Sequence, residues 1–341
     1  MFWLVEDNEQ LDNFKKYCKG DAFVELIPYS NIEHPTQNEI CAIYIYPLNS
    51  TKGYMIPISH SETLNIDLNA VKHILDGLNN IYVRDKKEFL HYLIFKKLFD
   101  ITLKAPTYIP EYTKTNSYFY SKYNDKKDIN RIIPIVKHYE YCENLYNNLK
   151  TRINEPINEF YNNKATVVFN AMERGGIRVD KPKFESHFHP IDRKFTYTQY
   201  NFKTTTTRPS NKFGGVNYAA LNKENGCRKS FSDIHESFAK MYGVSYKQSK
   251  EITFKQLYGG IFQQFKNLEF FKKVQVYVDD MWEKFNREGL IVCPVSKHIY
   301  KKKDLEEMKP QKLLNYVLQN LETAMNIRIL WEIFRSLKGR K

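Results

Sequence analysis

Paired cysteines are missing from this 341-residue chain. Cys18, Cys41, Cys142, Cys227 and Cys293 lie far apart, at no metal-binding spacing and with no matching histidine cluster. That pattern argues against a zinc site and a disulfide framework and points to a reducing compartment. Long uncharged apolar runs are missing too, and the N-terminus, Met1-Phe-Trp-Leu-Val-Glu-Asp7, turns acidic within a few residues. Neither a spanning helix nor a secretory signal is expected, and a soluble, cytoplasmic protein is. Acidic residues are in deficit: 39 Asp and Glu stand against 52 Lys and Arg, for a net charge of +13 and a pI near 9.2. The excess calls for an acidic partner, nucleic acid or an anionic membrane. A membrane-surface role ranks last, because no basic amphipathic helix has a clean apolar face.

The hydrophobic content of 42% and aromatic content of 15% can fill real cores, and the length allows two or three cooperative units. Tyr (25) and Phe (23) interleaved with lysine suit stacking on bases, although a Lys/Asn/Ile/Tyr-rich composition also follows from an AT-rich genome. Up to about Cys142 the pattern is α/β. Ala42–Tyr46 and Tyr54–Ile58 read as strands, and Asn69–Leu78 and Glu88–Leu98 as helices. From Ile135 to Met172 the apolar spacing is helical, broken near Pro156 and stopped by Gly175-Gly176 before a short strand, Ile177–Asp180. Residues 181–231 are irregular and rich in turn formers, and the rest is mainly helical.

Within that helical part, Lys250, Phe254 and Tyr258 recur every four residues, so a cation and two aromatic rings share one helix face. Ser245 with Gln248 forms a capping-box start and Gly259-Gly260 a stop. Two readings compete. In one the face holds a nucleotide, the ammonium meeting phosphate and the rings meeting base and sugar. In the other the helix is an ordinary amphipathic one, with its aromatics in the core and its lysine in solvent. Tyr277-Val-Asp279-Asp280 spells an adjacent carboxylate pair that could hold magnesium on a hairpin. Leu268, Phe271, Val274, Val278, Met281 and Phe285 instead set a helical period up to Gly289, which turns both aspartates to a solvated helix face.

Several segments resemble, in order, those of family A DNA polymerases, the bacterial polymerase I-like enzymes. Phe169–Asp180 is similar to the start of the family's polymerase domain. Thr204-Thr-Thr-Thr-Arg208, Asn217-Tyr-Ala-Ala-Leu-Asn-Lys223 and Arg228-Lys-Ser-Phe231 are similar to its primer-template segment, and Asp233-Ile-His235 to a segment before its fingers helix. Lys250, Phe254 and Tyr258-Gly259 reproduce the fingers helix, with Tyr246 where the family has arginine. Asn315 and Gln319 are similar to a pair that reads the minor groove. Hydrogen bonding there meets acceptors common to every correct base pair.

The resemblance implies a mainly helical, incomplete thumb, palm and fingers domain over residues 141–341, following a degenerate 3′-5′ exonuclease-like α/β domain over 1–140. It implies a nucleotidyltransferase that takes primer-template DNA and deoxynucleoside triphosphates, most similar to compact bacteriophage versions in a host cytoplasm. Nucleotide binding falls to Lys250, Phe254, Tyr258 and Gly259, and DNA binding to Thr204, Arg208, Asn217, Lys223, Arg228, Asn315 and Gln319. Mg2+ is implied as well, but its carboxylates are not assignable. The palm strand expected between Phe231 and Ser232 is missing, and the chain reaches Lys341 without the later palm hairpin. In the exonuclease-like region, the Asp-x-Glu positions of the first strand read Ile43, Tyr44 and Ile45, and Asp85 and Asp100 are expected to be exposed or helix-terminal. Two expectations stand: a polymerase in an inactive or incomplete copy, or a non-catalytic nucleic-acid-binding protein on the same scaffold.

Overall fold

The computed structural model describes residues 2–30, 33–104, 128–187, 190–191, 194–212, 234–305 and 307–338. The chain divides into two compact units. One comprises residues 1–203, 211–216 and 327–341, and the other residues 204–210 and 217–326.

The first unit is built on a five-stranded sheet of order β3-β2-β1-β4-β5. Strands β1 (Asp21–Pro28), β2 (Ile40–Pro47) and β3 (Tyr54–Pro57) run antiparallel, and β4 (Asn80–Val83) and β5 (Leu98–Asp100) continue parallel to β1. Strand side chains alternate between faces, so a strand covered on both sides reads as a continuous apolar run. Ile40-Cys-Ala-Ile-Tyr-Ile45 does so. Val24, Ile43 and Ile45 pack with Leu11 and Phe14 of α1 (Asn8–Tyr17), with Val71, Ile74 and Leu75 of α2 (Leu68–Asp76) and with Phe89 of α3 (Lys86–Tyr92). Phe23, Ala42 and Tyr44 pack in a second core with Tyr139, Cys142, Leu145 and Leu149 of α4 (Ile135–Leu149). Cys18, Cys41 and Cys142 are all buried here, and burial pushes the first two thiols up to about 12 and the third well above its ordinary value.

Glu143 on α4 gathers three donors on one oxygen: the Tyr44 hydroxyl at 2.8 Å, the Tyr139 hydroxyl at 3.0 Å and the Gly53 amide at 3.1 Å. A Cβ at residue 53 would lie 2.0 Å from the Tyr44 hydroxyl oxygen, so only glycine fits that approach.

Two expectations about the elements of this unit need correcting. The helix expected to run to Leu98 ends at Tyr92. Leu93 is extended, and Leu98 pairs with Ile81 in the sheet. Ile43–Ile45, where the first strand's Asp-x-Glu was sought, lies on the second strand, because β1 starts earlier, at Asp21.

A π-helical turn (Phe160–Ala165) leads into α5 (Thr166–Gly175), which stops at Gly176 with φ +62°. Glu173 of α5 is fully buried. It accepts from Lys87 Nζ at 2.6 Å, pairs with His91 Nε2 at 2.7 Å and accepts the Tyr200 amide at 2.7 Å. Burial alone would raise its carboxyl, but Lys87 and His91 outweigh that and hold it below the usual range.

In the second unit α6 (Ile234–Tyr242) and α7 (Tyr246–Gly259) are followed by α8 (Glu269–Glu288). Phe271, Val278, Met281 and Phe285 of α8 are buried at the anticipated spacing, and Gly289 caps it at φ +70°. A hairpin, β6 (Leu290–Val292) with β7 (Ile299–Lys301), leads to the long α9 (Pro310–Lys338), which belongs to this unit up to Asn326. Val278, Phe285, Ile291, Tyr300, Leu313 and Val317 form this unit's core, beside which Cys293 is 2% exposed. No described helix is long and apolar enough to cross a membrane.

Candidate nucleotide and nucleic-acid interface

Helix α7 begins at Ser245, whose hydroxyl accepts from the Gln248 amide while the Gln248 side chain accepts the Ser245 amide, completing the capping box. Gly260 ends it at φ +103°. Its buried residues, among those whose side chains are described, are Ser249 (0% exposed), Thr253 (3%) and Gln256 (1%). The Ser249 hydroxyl donates to the His235 carbonyl at 2.9 Å, and Thr253 meets the Tyr242 hydroxyl at 3.4 Å. On the outer side Lys250 is exposed and Phe254 is 39% exposed, with the Lys250 Nζ 6.0 Å from the Phe254 ring centroid.

Among the described side chains this is the inverse of an amphipathic helix with its aromatics in the core. Hydroxyls face inward, and the described aromatic ring of the stripe faces water beside an ammonium. An exposed ring carrying a cation suits a flat, anionic ligand. Tyr258 and Gly259 follow on the same helix by backbone, and their side chains lie outside the described residues. His235 of α6 organises the flank, its ring 5.5 Å from Phe254 and 6.2 Å from Tyr246. Tyr246 thus turns to a neighbouring ring. Lys247, one residue on and about 100° around the helix, is exposed.

A second group forms around the start of α9. Gln319 Nε2 donates to Asn315 Oδ1 at 2.6 Å, which joins the two amides into one half-buried surface. The threonine-rich turn is tied to the same helix. Asn320 Nδ2 donates to Thr207 Oγ1 at 2.9 Å, and the Tyr300 hydroxyl lies 3.3 Å from the Thr205 carbonyl and 3.1 Å from that of Tyr316. Within the turn the Thr204 hydroxyl donates to the Arg208 carbonyl at 3.0 Å, and Arg208 itself is exposed. The structure therefore ties the turn of Thr204 and Arg208 to the helix that carries Asn315 and Gln319, and places Lys250 and Phe254 on their own helix. Asn217, Lys223 and Arg228 lie outside the described residues, as do the Phe231/Ser232 junction and Asp233.

Sequence reasoning missed Asn320, Ser296, Tyr300 and the part played by His235. Their bonds join residues distant in the chain, and no spacing announces them.

Magnesium, the ion the resemblance implies, needs converging carboxylates. Asp279 and Asp280 are both exposed on α8, as expected, and Asp279 accepts from Gln275 Nε2 at 2.8 Å. Among the described residues no three His, Cys, Asp or Glu side chains converge, so these residues do not fit the ion. In the sheet unit the buried acids Glu25, Asp85 and Asp100 are already engaged. Glu25, pushed up to about 6 by burial, is held by Arg84 at 2.8 Å. Asp85 is buried and, as a helix-terminal residue, caps α3. Asp100, expected to be exposed or helix-terminal, is instead fully buried. It is salt-bridged to Lys203 at 2.8 Å and also accepts from the Lys86 amide and the Thr102 hydroxyl.

No protein-family model matches the chain, and no curated protein matches it. By structure it is a mixed α/β protein with a polymerase-like fold. The polymerase domain of Pol1 from M. smegmatis, solved with a DNA primer-template and dNTP, matches it with a TM-score of 0.57 at 11% identity, over 98% of this chain and 89% of that one.

Proposed function

We propose that this chain grips primed DNA and an incoming deoxynucleoside triphosphate in the manner of a family A DNA polymerase of the compact bacteriophage kind. The observation that carries the reading is α7, whose described buried residues are polar and whose exposed residues include Lys250 and Phe254. Lys250 neutralises the triphosphate. Phe254 packs on the nascent base pair, with Tyr258 following it along the helix. Arg208 meets a backbone phosphate, a contact that positions without reading sequence. Asn315 and Gln319 monitor the minor groove, where hydrogen-bonding groups distinguish pair shape more than identity. Residues 141–341 then serve as a reduced thumb, palm and fingers region and residues 1–140 as a degenerate exonuclease-like scaffold, both at work in phage DNA replication.

The described residues offer no carboxylate set for Mg2+, and that observation favours a second reading, a protein that binds primed DNA without extending it. Primer extension with Mg2+ and all four dNTPs, run beside binding to the same primed duplex, separates the two. Salt-dependent binding without extension is expected. Extension would show that carboxylates outside the described residues complete the site. Undetectable binding at low salt would remove both readings.

A further inference from the structure

Thr207 has φ +58°, a left-handed backbone that β-branched residues rarely adopt. It is also 2% exposed and sits one residue before the exposed Arg208. Such strain persists only where surrounding contacts impose it, and it gathers at working sites. Here the contact is a buried relay. The His298 amide donates to Ser296 Oγ at 3.2 Å, Ser296 Oγ donates to Asn320 Oδ1 at 3.0 Å, and Asn320 Nδ2 donates to Thr207 Oγ1 at 2.9 Å. Ser296 and Asn320 are both 0% exposed. The Thr207 amide closes the turn onto the Thr204 carbonyl at 2.9 Å.

Asn320 directly follows Gln319 on α9, so its amide looks inward about 100° from the Asn315/Gln319 surface. We propose that Asn320 is a positioning residue: it locks Thr207 in the left-handed conformation and so aims Arg208 at a primer-template phosphate beside Asn315 and Gln319. This rests on the DNA-gripping reading above. Asn320 needs no contact with DNA. It sets the direction in which a long, flexible cation leaves the backbone, which lowers the entropy lost on binding.

The test has one arm with DNA and one without. With primed duplex, Asn320→Ala and Arg208→Ala are each expected to weaken binding about tenfold and to lower the salt slope by about one phosphate contact. The double variant should be no weaker than either single one, because both remove the same contact. Thr207→Val, which keeps the shape and deletes the acceptor, should behave like Asn320→Ala. Thr207→Gly in the Asn320→Ala background should recover most of the affinity, since glycine enters the left-handed region freely. Additive losses, or an unchanged salt slope in Asn320→Ala, would overturn the assignment.

Without DNA, a nitroxide label on Arg208→Cys should report a turn that is restricted in the native background and mobile when Asn320 is alanine. An unchanged spectrum overturns the clamp whatever the DNA result. A mobilised label in a chain that never binds primed DNA overturns the DNA-gripping reading and the aim of Arg208, while leaving the clamp itself standing.

Discussion

In the sheet unit the buried charges hold one another: Glu173 with Lys87 and His91, Glu25 with Arg84, Asp100 with Lys203. On α7 of the helical unit the described buried polar groups are neutral, Ser249, Thr253 and Gln256, and the charges lie outside, on Lys247, Lys250 and Lys255 with Glu251 among them. The buried cations Arg84, Lys87 and Lys203 of the first unit are spent on internal partners. Those of α7 stand in water, where an anion can reach them.

That contrast is most severely tested by Glu173→Ala, which strands Lys87 and His91 in the interior. A loss of about 3–5 kcal/mol is expected in urea unfolding, the usual result of breaking one side of a buried pair. A loss under about 1 kcal/mol would mean the cluster is not the internal counterbalance described.

Acid should weaken both units, through different residues. Burial lowers His138 of the sheet unit and His298 of the helical unit to about 4, from 6.5. A depressed histidine contributes stability that is full above pH 6.5 and is lost as pH falls toward 4, on the order of 2 kcal/mol for each residue. Thermal melts across that window should show the decline, and His138→Gln and His298→Gln should each flatten part of it. Stability that holds level from pH 6.5 to 4 would contradict the buried, neutral state of these rings.

Phe254→Ala should separate binding from folding. Its exposed ring contributes little to the core, so unfolding should shift by no more than about 0.5 kcal/mol. Affinity for primed duplex or dNTP should drop by about 1–2 kcal/mol, the scale of one lost stacking contact. The reverse pattern, with stability lost and affinity kept, would return α7 to an ordinary packing helix.

Asp279→Asn with Asp280→Asn is expected to change least of all. Exposed carboxylates on a helix should leave stability within about 0.5 kcal/mol, and Mg2+ binding measured by calorimetry should be the same as in the native chain.

Where a period governs, the elements were legible in the sequence. The α8 spacing ending at Gly289, the Ser245 capping box and strands β2 and β3 all follow from side-chain alternation and cap chemistry. Strand β1 was not recognised, because Asp21-Ala-Phe-Val-Glu-Leu-Ile-Pro28 interrupts its apolar run with an acid. Burial of Glu25 depends on Arg84, far along the chain. At the site, the stripe of Lys250 and Phe254 could be read from spacing alone, but its exposure could not. Whether Phe254 or Ser249 faces inward is decided by what α6 offers, the His235 carbonyl and the Tyr242 hydroxyl. The hold of Asn320 on Thr207 spans 113 residues and leaves no local pattern.

The buried cysteines give each half of the molecule a clock. A thiol with a pKa near 12 is ionised to about one part in ten thousand at pH 8, and alkylating reagents attack only the thiolate. Cys18 and Cys41 in the sheet unit should therefore react only when that unit opens. Cys293, 2% exposed, is closed to reagent by burial itself and should react only when the helical unit opens. In a Cys227→Ser background, the time course of labelling, resolved by peptide mass, would read two opening rates from a single sample. Adding primed duplex would then show which of the two clocks a ligand slows.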